Sequence, residues 1–358
     1  MIEKDGGGFC RSNFVIYRSY AHRLFSQTGD DEAIVAAAGG IVSRMNSFSR
    51  RLRESAKHAM HRLFVTGQAA GWDLLPHHFY SNVPDIRHLR RTEYWRRPLQ
   101  MMGVAGADLA NQIEFLRYCC PASVQQRMLA SSIHKRASQQ NGDEGYGVIE
   151  ADFLFAFITT VRPLRIVQVG AGVSTAVILM AAEEFGYRPE IVCIDPYPTS
   201  YLQRLAQAHQ IRLVAEPAET ADLKYFAISP GDLLFVDSTH SVKPGSEVNR
   251  LILEILPDLP PRCHVHFHDI YFPYDYPSFL LNTLFVWGGE STLLHAFLIH
   301  NQRYRLSLSL SMLHHLDPDA LARSLPNYRR APMKDGLHLK ASPTEGHFPS
   351  ATYLESVA

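Results

Sequence analysis

Acids and histidines close three apolar runs of this chain, and a glycine turn follows a fourth. Ile191-Val-Cys-Ile-Asp195 ends in a carboxylate; Leu233-Leu-Phe-Val-Asp237 ends in another, with His240 three residues on; His264-Val-His-Phe-His268-Asp269 ends in a histidine and an acid. Upstream, Arg165-Ile-Val-Gln-Val169 runs into Gly170-Ala-Gly172, after which Ser174 and Thr175 open an apolar helical run. A side-chain-free turn lets the backbone approach a ligand and aims the free N–H groups of a helix start at it. An acid about twenty residues further on, at the end of the next strand, is placed to accept hydrogen bonds from a ribose. The pair reads as a nucleotide-binding β-α-β unit, the alternative being a bare structural turn. Of the later groups, imidazole titrates near neutrality and can take a proton, so His240 is the candidate base and Lys243 a weaker one. The alternative for His240 is an Asp237–His240 bond that fixes a turn. His264 and His266 alternate with Val265 and Phe267 and read as core histidines.

Strands and helices must alternate to bring these groups together. The spacing predicts strands at 165–169, 190–195, 211–214, 232–237 and 262–268, with helices at 174–185, 199–209 and 245–256 between them. Such alternation predicts a doubly wound parallel sheet, and ligands of such sheets bind beyond the carboxyl ends of the strands. A helix at 291–300, a strand at 304–310 and a final antiparallel strand at 336–339 complete the pattern. Before it, apolar residues from Ile41 to Phe64 recur at helical spacing, with Arg44, Arg50, Arg51, Arg53 and Lys57 mostly off the stripe as a solvated face. Helices follow near 104–118, 121–136 and 150–160, and polar Ser138–Gly145 reads as a linker. The expected organisation is a mainly helical extension or cap over 1–140, a sheet domain over 141–345 and a disordered tail over 346–358.

The chain has 358 residues, 46% hydrophobic and 20% charged, with a formal net charge of zero. That composition fits a globular protein, and the charge balance gives no basis for a nucleic-acid groove. No run of residues is long and apolar enough to span a bilayer, and no signal-peptide pattern opens the sequence. Five cysteines without metal-site spacing fit reduced thiols, so a cytoplasmic location is expected.

From Gly147 to Leu339 the chain resembles the class I S-adenosylmethionine-dependent methyltransferases. Within that class it is similar to the branch holding macrolide-sugar O-methyltransferases and cephalosporin-hydroxylase-like proteins. The resemblance rests on Val169-Gly-Ala-Gly-Val-Ser-Thr175, on Phe235-Val-Asp-Ser-Thr-His240 with Lys243-Pro-Gly, and on His266-Phe-His-Asp-Ile270 with Pro273 and Tyr276-Pro277. It implies a Rossmann-like seven-stranded sheet, parallel except for one strand, preceded by the helical extension. It assigns Gly170, Gly172, Ser174 and Asp195 to the cofactor, with Asp195 on the ribose hydroxyls. Relatives place Glu where this chain has Gln168, which implies weaker cofactor binding. In the metal-dependent relatives a divalent ion sits at the positions of Asp237, His268 and Asp269. A histidine at 268 shifts the expected ion toward a softer metal than Mg²⁺.

The implied activity is O-methylation of a small sugar-like or secondary-metabolite acceptor, with Asp237 and His240 as catalytic residues. The stretch 271–290 is the expected acceptor lid. Homo-oligomerisation through the N-terminal helices is the expected association, with no nucleic-acid or membrane partner. Three alternatives stand beside this reading. One is a hydroxylase-like or non-catalytic cofactor-binding relative. Another is a zinc hydrolase suggested by His264-x-His266-x-His268-Asp269, whose last two residues reverse the hydrolase order. The third is a nicotinamide-dependent reductase, which would need glycine where Thr175 stands.

Overall fold

The structure, a computed structural model, describes residues 54–75, 81, 83–92, 94–276, 288–329 and 349–357. The chain divides into two compact units, Met1–Asn82 and Val83–Ala358. In the first, residues 54–69 form helix α1; the earlier part of the apolar stripe from Ile41 lies outside the described residues.

The second unit is built on a sheet of seven strands. They are β1 (Arg165–Val169), β2 (Glu190–Ile194), β3 (Arg212–Val214), β4 (Leu233–Val236), β5 (His264–Phe267), β6 (Tyr304–Ser309) and β7 (Thr352–Ser356). Their order is β3-β2-β1-β4-β5-β7-β6. β1 to β5 pair in parallel, and β7 runs antiparallel to both β5 and β6. The sheet is thus the doubly wound, Rossmann-like one expected, parallel except for one strand.

That strand is not where the sequence placed it. The predicted strand at 336–339 lies outside the described residues, and the antiparallel strand is β7, inside the stretch expected to be a disordered tail. Its residues Thr352, Tyr353 and Leu354 are buried. The alternation Tyr-Leu-Glu-Ser is too short to stand out, and burial between two neighbouring strands supplies what local propensity does not.

Helices cover both faces. The apolar runs of β1 and β4 are buried on each side, as parallel strands require. Ile166, Leu233 and Phe235 enter one core; Val167, Val169, Leu234 and Val236 enter the other. After α2 (Ile86–Arg91), the first core is closed by α3 (Leu109–Cys119), α4 (Ala122–Ser131), α5 (Ile133–Asn141), α6 (Val148–Val161) and α7 (Val173–Glu184). The unit boundary therefore falls at Asn82/Val83, not near 140. Leu116, Met128 and Ile133 share a core with the sheet. The stretch read as a linker is the last turn of α5 and its cap: Ser138 is buried, and Gly142 at φ +84° donates its N–H to the Ser138 carbonyl at 2.7 Å. A left-handed glycine ends a helix in this way, so polar residues there mark a helix end and not a hinge. The predicted single helix at 121–136 is broken into α4 and α5 at Ser132, whose φ is +44°.

α8 (Ser200–Gln207) adds Leu202 and Leu205 to the first core, and the other core uses α9 (247–258) and α10 (Glu290–Leu298), through Val248, Ile252, Leu294 and Leu298. Residues Leu251–Ile255 of α9 are wound as a π-helix. Pro257 comes two residues later; it has no N–H to give and crowds the preceding turn, which the wider winding relieves. Among the described residues no helix is long and apolar enough to cross a membrane.

Candidate active site

The carboxyl ends of β1, β4 and β5 set out the site. Gly170 follows β1 at φ +76°, and a Cβ there would lie 1.7 Å from the Asp237 carbonyl oxygen. Only glycine fits, because the turn after β1 and the end of β4 touch backbone to backbone. Gly172, φ +158°, opens α7; a Cβ there would come within 3.0 Å of the Asn141 amide nitrogen.

Gln168 braces this turn from beneath. Fully buried, it accepts from Thr175 Oγ1 at 2.8 Å and donates through Nε2 to Ser174 Oγ at 3.1 Å. Thr175 Oγ1 in turn accepts from the Gly172 N–H at 3.2 Å. A glutamate at 168 could not make the donation, so the neutral residue serves the turn. Ser174 turns its oxygen toward Gln168 and is buried. Asp195, just past β2, accepts from the Ala171 N–H at 3.3 Å and from the Tyr197 N–H at 2.8 Å. Gly170, Gly172, Ser174 and Asp195 are thus gathered at one turn.

Beside it lies an alternating ring of two imidazoles and two carboxylates. Asp237 Oδ1 sits 3.7 Å from His240 Nε2 and 3.4 Å from His268 Nδ1. Across the ring, Asp269 Oδ2 is 3.5 Å from His240 Nε2, and its Oδ1 is 3.7 Å from His268 Nδ1. Two further acids flank the ring. Glu290 Oε2 pairs with His240 Nδ1 at 2.7 Å, and Glu150 Oε1 lies 4.0 Å from His268 Nε2. Ser350, just before β7, ties the far side together. It donates its N–H to Glu150 at 2.9 Å and its hydroxyl to Asp269 Oδ1 at 2.9 Å. Asp269 (φ +52°) and His240 (φ +58°) both hold left-handed backbone conformations, which surroundings must enforce for residues that carry a Cβ.

The charges answer one another. Burial pulls His240 down, but the Glu290 bond and the carboxylates of Asp269 and Asp237 overcome it and raise its pKa to about 9. Burial likewise opposes the charge of His268, which Asp237, Asp269 and Glu150 lift to about 10. Asp269 would be raised by burial, yet His268 and His240 hold it below the ordinary carboxylate range. Burial keeps Glu290 above its ordinary range even against the His240 proton.

Asp237, His268 and Asp269 are neighbours, but they are engaged as ion pairs and not gathered as ligands. Among the described residues no three His, Cys, Asp or Glu side chains are placed to hold a metal ion. Lys243 is exposed and opens the turn into α9. His266 is fully buried and stacked 4.2 Å from the Phe235 ring, as a core histidine. Within the expected lid, 277–287 lie outside the described residues.

Glu150, Glu290 and Ser350 are site residues that the sequence did not single out. Glu150 gave one signal, an acid inside the apolar run Val148–Val161, where the structure leaves it fully buried.

Residues 167–270 match the protein family described as a methyltransferase domain. A curated Archaeoglobus fulgidus protein, itself uncharacterized, is 28% identical over 189 residues, 49% of this chain and 80% of that protein. Among solved structures, the fold is similar to that of the SAH-bound Podospora anserina methyltransferase PaMTH1. The likeness has 13% identity and a TM-score of 0.35, over 79% of this chain and all of that one. It is also similar to the plantazolicin methyltransferase BamL, solved in complex with a triazolic desmethylPZN analog and SAH. There the identity is 13% and the TM-score 0.37, over 68% of this chain and 94% of that one. The methyltransferase-domain match thus runs from β1 through β5, over the glycine turn and the strand ends that carry the site.

Proposed function

We propose that this enzyme methylates a hydroxyl oxygen of a small sugar-like or secondary-metabolite acceptor, with His240 as the base that takes the hydroxyl proton. The observation that carries the reading is the placement of His240 Nε2 between Asp237 and Asp269, beyond the strand ends and on the same side as the glycine turn. When bound, S-adenosylmethionine supplies the methyl group on a sulfonium that is already a good electrophile. The chain has to align the acceptor, which is worth roughly 7–11 kcal/mol, and remove its proton. The glycine turn and the start of α7 fit the cofactor's methionine and ribose side because Gly170 and Gly172 put no side chain of their own over the backbone. Asp195, half-buried at the rim, accepts the ribose hydroxyls. Asp237 and Asp269 steady the imidazolium that forms at His240. The acceptor is a small molecule, and the chain works in the cytoplasm.

Calorimetry with S-adenosylhomocysteine tests the reading. The wild-type chain should bind it. Gly172→Asp, which pushes a carboxylate toward Asn141 and the methionine site, should abolish binding. Asp195→Ala should weaken it by about 10–100-fold, the loss of one or two charge-assisted hydrogen bonds. A wild-type chain that binds no S-adenosylhomocysteine would sink the reading. Turnover lost to chelator and restored by a divalent ion would give Asp237, His268 and Asp269 a ligand role; turnover indifferent to chelator would leave His240 to act alone.

A further inference from the structure

We propose that Glu290 is a positioning residue that fixes both the tautomer and the direction of His240, leaving Nε2 as the nitrogen that meets the acceptor. This inference rests on the reading of His240 as the base and names the residue that makes it one.

The two nitrogens of His240 have different surroundings. Nδ1 lies 2.7 Å from Glu290 Oε2, at hydrogen-bond distance, and the Glu290 side chain is 1% exposed. Nε2 lies 3.7 Å from Asp237 and 3.5 Å from Asp269, beyond a good hydrogen bond, and those side chains are 24% and 36% exposed. The accessible side of the ring is therefore the Nε2 side. An ionised carboxylate only accepts hydrogen bonds, so the nitrogen facing Glu290 must carry the hydrogen. A neutral His240 then has its lone pair on Nε2, aimed between Asp237 and Asp269, where an acceptor hydroxyl can reach it.

The backbone is built to hold this pair. Val242 donates its N–H to the Gly288 carbonyl at 2.7 Å, and Ser241 forms a β-bridge with Gly289. A Cβ on Gly288 would come within 2.2 Å of the His240 carbonyl oxygen. The segment after β4 and the segment before α10 are thus zipped together where Gly288 and Gly289 present no side chain. The zip puts His240 against Glu290, in the first turn of α10. Glu247 secures the other flank, accepting from the Thr239 N–H at 2.9 Å and from its hydroxyl at 2.6 Å.

Nitrogen-15 NMR of the full chain, labelled in its histidines and loaded with S-adenosylhomocysteine, reads the tautomer directly, with His240→Gln identifying the resonance. Above the His240 titration, the wild-type ring should show a protonated Nδ1 and a lone-pair Nε2. Glu290→Ala should move the hydrogen to Nε2, and Glu290→Gln should lose the single-tautomer signature. A wild-type ring with its hydrogen on Nε2 overturns the proposal without any variant, as does a Glu290→Ala chain that keeps the wild-type pattern. Calorimetry on the same samples separates the two readings. Loss of S-adenosylhomocysteine binding in the wild type defeats the methyltransferase reading, whereas retained binding with the wrong tautomer defeats only the role of Glu290.

Discussion

His240 is held at φ +58° with three carboxylates around its ring, and that crowding determines when it can work. A base must be unprotonated to act. With its pKa raised to about 9, only about one ring in a hundred is neutral at pH 7. Methyl transfer should therefore climb about tenfold per pH unit from neutrality and level off near pH 9, where an unperturbed imidazole would level off near 6.5. A profile already flat at pH 7 would mean that another group takes the proton. The same shifts bear on stability. A histidine raised on folding contributes stability that is complete below about 6.5, its unfolded value, and is lost as pH rises through its folded one. For His240 and His268 those values are about 9 and about 10, so the melting temperature should fall between pH 6.5 and 10. His240→Gln should flatten the lower part of that fall. The sequence made His240 visible, because Asp237 stands three residues away. It could not make its pKa visible: Glu290 is fifty positions distant in the chain and reaches the ring through a loop contact that no local pattern encodes.

Among the elements, β1 and the turn after it were legible because everything they need is local: an apolar run, two glycines and a helix start within twelve residues. The C-terminal strand was not, because its role is entirely non-local. Ser350 meets Asp269 across 81 positions and Glu150 across 200. Ser350→Ala removes the hydroxyl from Asp269 but keeps the backbone bond to Glu150. Loss of a hydrogen bond to this partly exposed carboxylate costs about 0.5–1.5 kcal/mol. The melting temperature should drop by several degrees while S-adenosylhomocysteine binding, made at the other side of the site, stays at the wild-type level. An unchanged melting temperature would show that Asp269 finds another donor.

At the scale of the whole molecule, every described residue of the site lies in the second compact unit, which begins at Val83. A chain starting at Val83 should keep the wild-type melting temperature and cofactor affinity. One starting at Gly145 loses Leu116, Val124, Met128 and Ile133 from the core. At about 1.5–3 kcal/mol for each large side chain, that loss matches the 5–15 kcal/mol that holds a domain folded, and the shortened chain should not remain soluble. A soluble, cofactor-binding chain from Gly145 would contradict this. Self-association through the N-terminal helices remains our proposal, and the solution mass of the chain from Val83 compared with the full chain decides it. The position of β7 also has a consequence for synthesis. β7 lies between β5 and β6, and Ser356 bonds to Cys263 across 93 positions. Until the ribosome has released residue 356, β5 and β6 each present an open strand edge, so the nascent chain passes through an aggregation-exposed stage. Closure of so long a loop is slow, and chaperone supply during translation should limit the yield of this enzyme more than its final stability does.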